Sequence, residues 1–136
     1  MKRNLFWGLT ALVLALTVNV ASAQSKSAAA DVPFAFTINE SSMAAGHYTI
    51  TEVSDRVLQL RNDDTNKTVS VIAQHEESVK EQKIQLVFHK YGDRYTLAEV
   101  WDGASGSQLP SSKLEQERRA ASKNAGGSSE VVVTLR

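Results

Sequence analysis

Two runs, 83–91 and 94–102, separated only by Gly92-Asp93, constrain this chain more than any other stretch. So short a connection forces antiparallel pairing, and a glycine at the first central position suits a type II′ turn, whose twist matches the flanking strands. Pairing outward from the turn sets Phe88 against Leu97, Leu86 against Glu99 and Ile84 against Trp101 on one face. The other face carries Val87 against Ala98, His89 against Thr96 and Gln85 against Val100. Both faces are largely apolar, so the hairpin is expected to be covered on each side, by the second half of a sandwich or barrel and by a helix.

The rest of the chain reads as more strands. Val32, Phe34, Phe36 and Ile38 alternate with smaller or polar residues, a period of two that places four large apolar side chains on one face of a strand at 32–38. Pro33 fits the start of an edge strand. Ala44-Ala45-Gly46 is read as a turn into a strand at 47–53 with Tyr48 and Ile50 inward. Strands at 57–62 and 67–74 flank the loop 63–66, and that loop length opposes Leu60 to Val69 and Leu58 to Val71. A slip of one residue would oppose them to Thr68 and Ser70, so loop and pattern agree on one register.

Asp102-Gly103 and Gly106 are read as a further turn. Ser112-Lys113-Leu114-Glu115 then has the pattern of a capping box, in which serine hydroxyl and glutamate each satisfy the other's amide. A helix to about residue 123 follows, with Lys113–Glu117 and Glu115–Arg119 at i,i+4. It is poor in apolar residues, so it is expected to lie on a surface rather than nucleate a core. Asn124-Ala125-Gly126-Gly127 ends it, and a last strand at 131–135 offers Val131, Val133 and Leu135 to one side. The fold class is therefore all-β: a small antiparallel β-sandwich or partly closed barrel of about seven strands, with one short C-terminal α-helix before the last strand. An outer-membrane barrel is disfavoured, because the inward–outward contrast is mixed and the chain ends on Arg136 rather than an aromatic residue.

Residues 1–23 read as a signal peptide: Lys2 and Arg3, an apolar run from Leu5 to Val20, and Ala21-Ser22-Ala23 before an expected cut ahead of Gln24. Gly8, Thr10, Thr17 and Asn19 interrupt the run, which is shorter than the roughly 20 apolar residues of a membrane span. The protein is thus expected to be exported, to the periplasm or the medium, with no transmembrane segment after cleavage. Residues 24–30 are small and polar, a disordered lead-in to a single domain at 31–136. With no cysteine, disulfides, thiolate nucleophiles and thiolate metal sites are excluded. Removing Lys2 and Arg3 from 15 basic residues leaves 13 against 15 acidic, a net charge of −2 that gives no electrostatic case for nucleic acid.

Several segments together resemble a family of small exported bacterial proteins of unknown function. They are Asp31-Val32-Pro33-Phe34-Ala35-Phe36-Thr37, Ala45-Gly46-His47-Tyr48-Thr49-Ile50, Leu60-Arg61-Asn62 and above all Phe88-His89-Lys90-Tyr91-Gly92-Asp93-Arg94-Tyr95. The resemblance covers nearly all of the chain after the leader. It departs at Ala44, where the family pattern has proline, which implies a looser turn there. It implies export and the fold, and supplies no catalytic residue.

No motif carries a specific chemistry or implies a cofactor. His47, His75 and His89 fall on different elements, and no metal-binding spacing, nucleophile signature or glycine-rich phosphate loop is present. Glu99 is the one residue whose place conflicts with its chemistry. The simple register sets it among Ile84, Leu86, Leu97 and Trp101, unless a bulge turns it outward. The candidate binding surface is the hairpin's His89, Tyr91, Arg94, Tyr95, Glu99 and Trp101. The leading expectation is a non-enzymatic module that binds an envelope or extracellular component through a strand edge or this hairpin, with edge strands also offering weak self-association. A small-ligand carrier with a pocket beside Glu99 is the first alternative, and a hydrolase or metal enzyme the second.

Overall fold

The computed structural model describes residues 26–78, 83–103 and 105–136. The expected leader, and Gln24 and Ser25 after it, lie outside the described residues. The strands are β1 (Ser27–Val32), β2 (Phe36–Ile38), β3 (Ser41–Met43), β4 (Gly46–Ser54), β5 (Val57–Asn62), β6 (Thr68–Ile72), β7 (Gln74–Glu77), β8 (Gln85–Tyr91), β9 (Arg94–Trp101) and β10 (Ser105–Gln108). Helix α1 (Lys113–Lys123) and β11 (Ser128–Thr134) complete the order. One sheet runs β1-β4-β5-β6; the second runs β11-β8-β9-β10-β7, with β2 beside β9 and β3 beside β2. The architecture is an open all-β sandwich with one short helix before the last strand.

The β5–β6 hairpin has the register its loop dictates, Leu60 against Val69 and Leu58 against Val71. A buried Asn62 locks the turn: its Oδ1 accepts from the backbone N–H of Asp64 at 2.9 Å and of Thr65 at 3.0 Å, while its Nδ2 donates to the Tyr48 hydroxyl at 3.0 Å. That hydroxyl in turn donates to the carbonyl of Ala44, so one amide side chain ties two turns together. This accounts for a nearly inaccessible asparagine without a polar orphan.

Several expectations are corrected. Residues 27–30 are not a lead-in: they form most of β1, and Ala30 is buried. The expected strand at 32–38 is two strands in different sheets, because Pro33 has no N–H to continue a ladder and the chain crosses between sheets at 33–35. The alternation still places Val32, Phe36 and Ile38 in the core, with Phe34 packed against it. Likewise 67–74 divides at the buried Ala73 into β6 of one sheet and β7 of the other. Gly106 lies within β10 rather than in a turn.

The β8–β9 hairpin keeps Phe88 against Leu97 and His89 against Thr96, but a bulge then shifts the pairing. Beyond it Glu99 opposes Val87, Val100 opposes Leu86 and Trp101 opposes Gln85. Asp93 keeps a negative φ while Gly92 takes φ 65°, as a type II′ turn requires. Leu86, Phe88, Leu97 and Val100 face the other sheet, and Val87, Tyr91, Ala98 and Trp101 are buried on the outer face. Both sides are therefore covered, as the composition of the hairpin demands.

Helix α1 docks through polar groups. Ser112 caps it, accepting from the backbone N–H of Glu115 at 3.1 Å, but the Glu115 side chain does not complete the box. Instead its buried carboxylate turns onto β8, where the Tyr91 hydroxyl donates to it at 3.0 Å and His89 Nδ1 lies at 3.1 Å. Arg119 Nη2 stands 3.6 Å from the same oxygen. The chain end closes one corner of the sandwich: Ala29 and Arg136 exchange two backbone hydrogen bonds, and Arg136 and His47 both pair with Asp31. β1 and β11 stand at the edges of their sheets, and the end of the chain ties β1 to the residues after β11.

Candidate functional site

The six candidate hairpin residues do not form one surface. His89 and Tyr91 lie under α1, tied to Glu115, and Tyr91 is buried. Its hydroxyl is raised above the ordinary tyrosine pKa, chiefly by burial. Arg94 and Tyr95 sit at the hairpin tip, where the Tyr95 ring stacks on Phe34 with centroids 3.9 Å apart. Glu99 and Trp101 lie at the opposite end of β9, joined by a hydrogen bond of 2.7 Å from the indole Nε1 to Glu99 Oε2. The bulge resolves the conflict over Glu99 by moving it to the outer face, half-buried beside an N–H donor.

A cavity opens between the sheets at the end away from the hairpin tip, with a volume of about 410 Å³. Ala28, Ile50 and Leu58 line it from one sheet, and Val100 of β9, with Ile84 just before β8 and Leu135 just after β11, from the other side. Its origin lies in side-chain size. At the tip end the gap between the sheets is filled by rings: Phe34 and Phe36 each meet Phe88 edge-on at 5.0 and 5.1 Å, and Phe36 meets Tyr48 at 5.2 Å. At the other end the facing residues include Ala28, Ser105 and Ser107, which are too small to fill the gap.

The rim of this mouth is charged with both signs. Lys26, ahead of β1, pairs across the opening with Asp102, after β9, at 3.4 Å, and Glu52, His75 and Arg136 stand around it. An apolar floor with a few polar groups at the edge, in a volume within the roughly 300–1,000 Å³ of small-molecule sites, is the arrangement of a ligand pocket. The pocket expected beside Glu99 is therefore displaced to the other face of the sheet, where neighbouring Val100 points. Sequence reasoning missed it because its lining is defined by what is small, contributed by segments far apart in the chain.

The three histidines have separate surroundings. His47 pairs with the Asp31 carboxylate, His75 stands at the cavity rim with Glu77 4.0 Å away, and His89 sits against Glu115. The hydrogen bond to Asp31 raises His47 above its ordinary pKa, helped by the charges of Asp31 and Asp64, and the same bond holds Asp31 below its own. No helix among the described residues is long and apolar enough to cross a membrane. No family model, no curated protein and no solved structure matches the chain.

Proposed function

We propose that the protein is a non-enzymatic binding module of the bacterial cell envelope, which holds a small ligand with a largely apolar body in the mouth between its sheets. The observation that carries this reading is the 410 Å³ cavity, floored by Ile50, Leu58, Val100 and Leu135 and rimmed by charged side chains. An apolar cleft left open at one end of a sandwich whose other end is filled by rings leaves hydrophobic surface that a ligand body covers favourably. The envelope setting is supported by the signal-peptide pattern of residues 1–23 and by the resemblance to small exported proteins. The scattered histidines offer no converging set for catalysis, so binding is the better account of the site.

Native mass spectrometry of the protein recovered from its own envelope or medium, followed by titration with dodecanoate and with an anilinonaphthalene sulfonate dye, tests the proposal. Ala28→Leu extends a side chain from the cavity wall into the opening without touching the ring-filled end. The expected result is a retained mass or a saturable one-to-one complex that Ala28→Leu abolishes while the fold persists. Absence of both a retained mass and saturable binding would refute the reading, as would binding unaffected by Ala28→Leu.

A further inference from the structure

A second, smaller cleft lies at the hairpin-tip end and has a different chemistry. It measures about 190 Å³ and is bounded by the start of β9, by the β2–β3 hairpin and by α1. Arg94 from β9 and Arg118 from the helix line it, with Thr37, Ser42 and one carboxylate residue, Asp93 of the hairpin turn. Arg118 Nη1 donates to Thr37 Oγ1 at 3.1 Å. Thr37 Oγ1 is held in turn by Thr96 Oγ1 at 3.1 Å and by the carbonyl of Tyr95 at 3.4 Å, so the helix residue is anchored by a short polar chain leading into β9.

This local charge is not neutralised. Among the described residues no carboxylate lies within ion-pair distance of Arg118, and Arg94 has only its neighbour Asp93, at 4.0 Å, whose side chain is almost wholly exposed. Two more cations stand close by. The Lys90 ammonium lies 5.4 Å from the centroid of the Tyr95 ring, and Lys67 donates to the backbone carbonyl of Ser42. Everywhere else that an arginine of this chain is paired, the partner is a carboxylate on or near the same strand or corner: Arg61 with Asp63, Arg119 with Glu115, Arg136 with Asp31. In a chain whose basic and acidic residues nearly balance, two arginines against one exposed carboxylate in the lining, with two lysines beside lining residues, is a local excess of positive charge.

We infer that this cleft binds the tetrahedral oxyanion of a phosphoryl group. A guanidinium has five N–H donors in a planar fork, and Arg118 spends one of them on Thr37. The remaining donors match two oxygens of a phosphate, and Arg94 meets the anion from the facing strand. The cleft is too small for a whole nucleotide, so the recognised part is the phosphoryl group itself, carried by free phosphate, a phosphate ester or a lipid headgroup. The site lies at the end of the sandwich opposite the mouth and stands whether or not the mouth binds a ligand.

The test is a titration of the 15N-labelled protein with inorganic phosphate at low ionic strength, followed by amide shifts, with acetate and chloride at matched ionic strength as comparisons. Saturable shifts at Thr37, Tyr95 and Arg118 are expected with phosphate. Arg118→Gln and Arg94→Gln should each weaken binding by at least about tenfold, as loss of a charged hydrogen bond requires, and Arg61→Gln should not. Co-sedimentation with phosphatidylglycerol vesicles, against phosphatidylcholine alone, separates the sources. Arg118-dependent vesicle binding assigns the phosphoryl group to a headgroup, and its absence beside phosphate binding assigns it to a soluble ester. Shifts that do not saturate, that acetate or chloride reproduces, or that survive in a folded Arg118→Gln variant overturn the proposal.

Discussion

Gly106 offers the sharpest test of how the outer face of the β9–β10 pair is packed. It lies in β10 opposite Trp101 of β9. A Cβ placed on it would sit 2.5, 2.6 and 2.7 Å from Cε3, Cζ3 and Cδ2 of the indole. Backbone conformation raises no objection to alanine here, since Gly106 is not among the residues with positive φ. Restricting the unfolded chain would by itself make Gly106→Ala stabilising by about 0.4–1 kcal/mol. Against that stands a rigid bicyclic ring, 8 % exposed and hydrogen-bonded to Glu99, which would have to move by about an ångström to restore ordinary contact. Overpacking of this kind costs roughly 1–3 kcal/mol. Lengthening the half-exposed indole–carboxylate bond adds about 1 kcal/mol more.

The steric term wins, and Gly106→Ala should destabilise by roughly 1–3 kcal/mol once the entropic gain is subtracted. For a domain of this size that lowers Tm by roughly 4–13 °C. Two assays report it. Trp101 is the one tryptophan among the described residues, so its fluorescence reads the environment of the displaced ring. A double-mutant cycle with Trp101→Leu isolates the clash, because removing the ring makes room for the new methyl group. The expected coupling is about 1–2 kcal/mol in the direction of rescue. A neutral or stabilising Gly106→Ala, or a double variant that is simply additive, would show that the glycine is not there to admit the ring.

Three further outcomes follow from the same geometry. Glu115→Ala removes the acceptor shared by Tyr91, His89 and Arg119, and should cost about 2–3 kcal/mol in urea unfolding, with earlier hydrogen exchange in α1; a loss below about 0.5 kcal/mol would mean that the helix docks by other means. Phe88→Ala empties the centre of the ring-filled end and should cost about 3–5 kcal/mol, whereas Ile72→Thr, at a side chain 71 % exposed, should change stability by no more than about 0.5 kcal/mol. The Asp31–His47 pair has the two signs of linkage: His47, raised above 6.5 in the fold, contributes stability below that pH and loses it as pH rises through the elevated value. Asp31, lowered below 3.8, contributes above that pH and loses it as pH falls through the depressed value. Stability at low ionic strength should therefore fall away as pH rises from 6.5 through the elevated value, in a way that His47→Gln removes, and an unchanged profile in that variant would sink the assignment.

What was legible in the chain is where contrast between neighbouring positions is strong. Leu58 and Leu60 alternate with Gln59 and Arg61, so only one register keeps apolar against apolar, and the structure has it. The β8–β9 hairpin lacks that contrast past Leu97. Leu86 and Val87 are adjacent and both apolar, as are Leu97 and Ala98, so a bulge that exchanges Glu99 for Val100 opposite Leu86 costs the pattern nothing and removes a carboxylate from the core. β3 and β10 were missed for a related reason: Ser41-Ser42-Met43 and Ser105-Gly106-Ser107-Gln108 hold one large apolar residue between them and exist because neighbouring strands supply the ladder. The capping box was half legible, since Ser112 answers to local geometry while Glu115 answers to Tyr91 and His89, which are more than twenty residues away in the chain.

The same reasoning explains why the two proposed sites lie at opposite ends. A sandwich of this size holds together with one end filled, and here Phe34, Phe36, Tyr48, Phe88 and Tyr95 fill it, all drawn from segments close to the hairpin tip. That packing fixes β2 against β9 and so places Thr37 beside Thr96, the polar chain on which Arg118 rests. The small residues of β1 and β10 are then free to leave the far end open without forfeiting the core, because Leu60, Leu86 and Leu97 seal the middle at almost no exposure. Enlarging a side chain at the mouth, as in Ala28→Leu, should therefore alter binding while sparing stability. Truncating a ring at the tip should lower stability and, through Thr37, loosen Arg118.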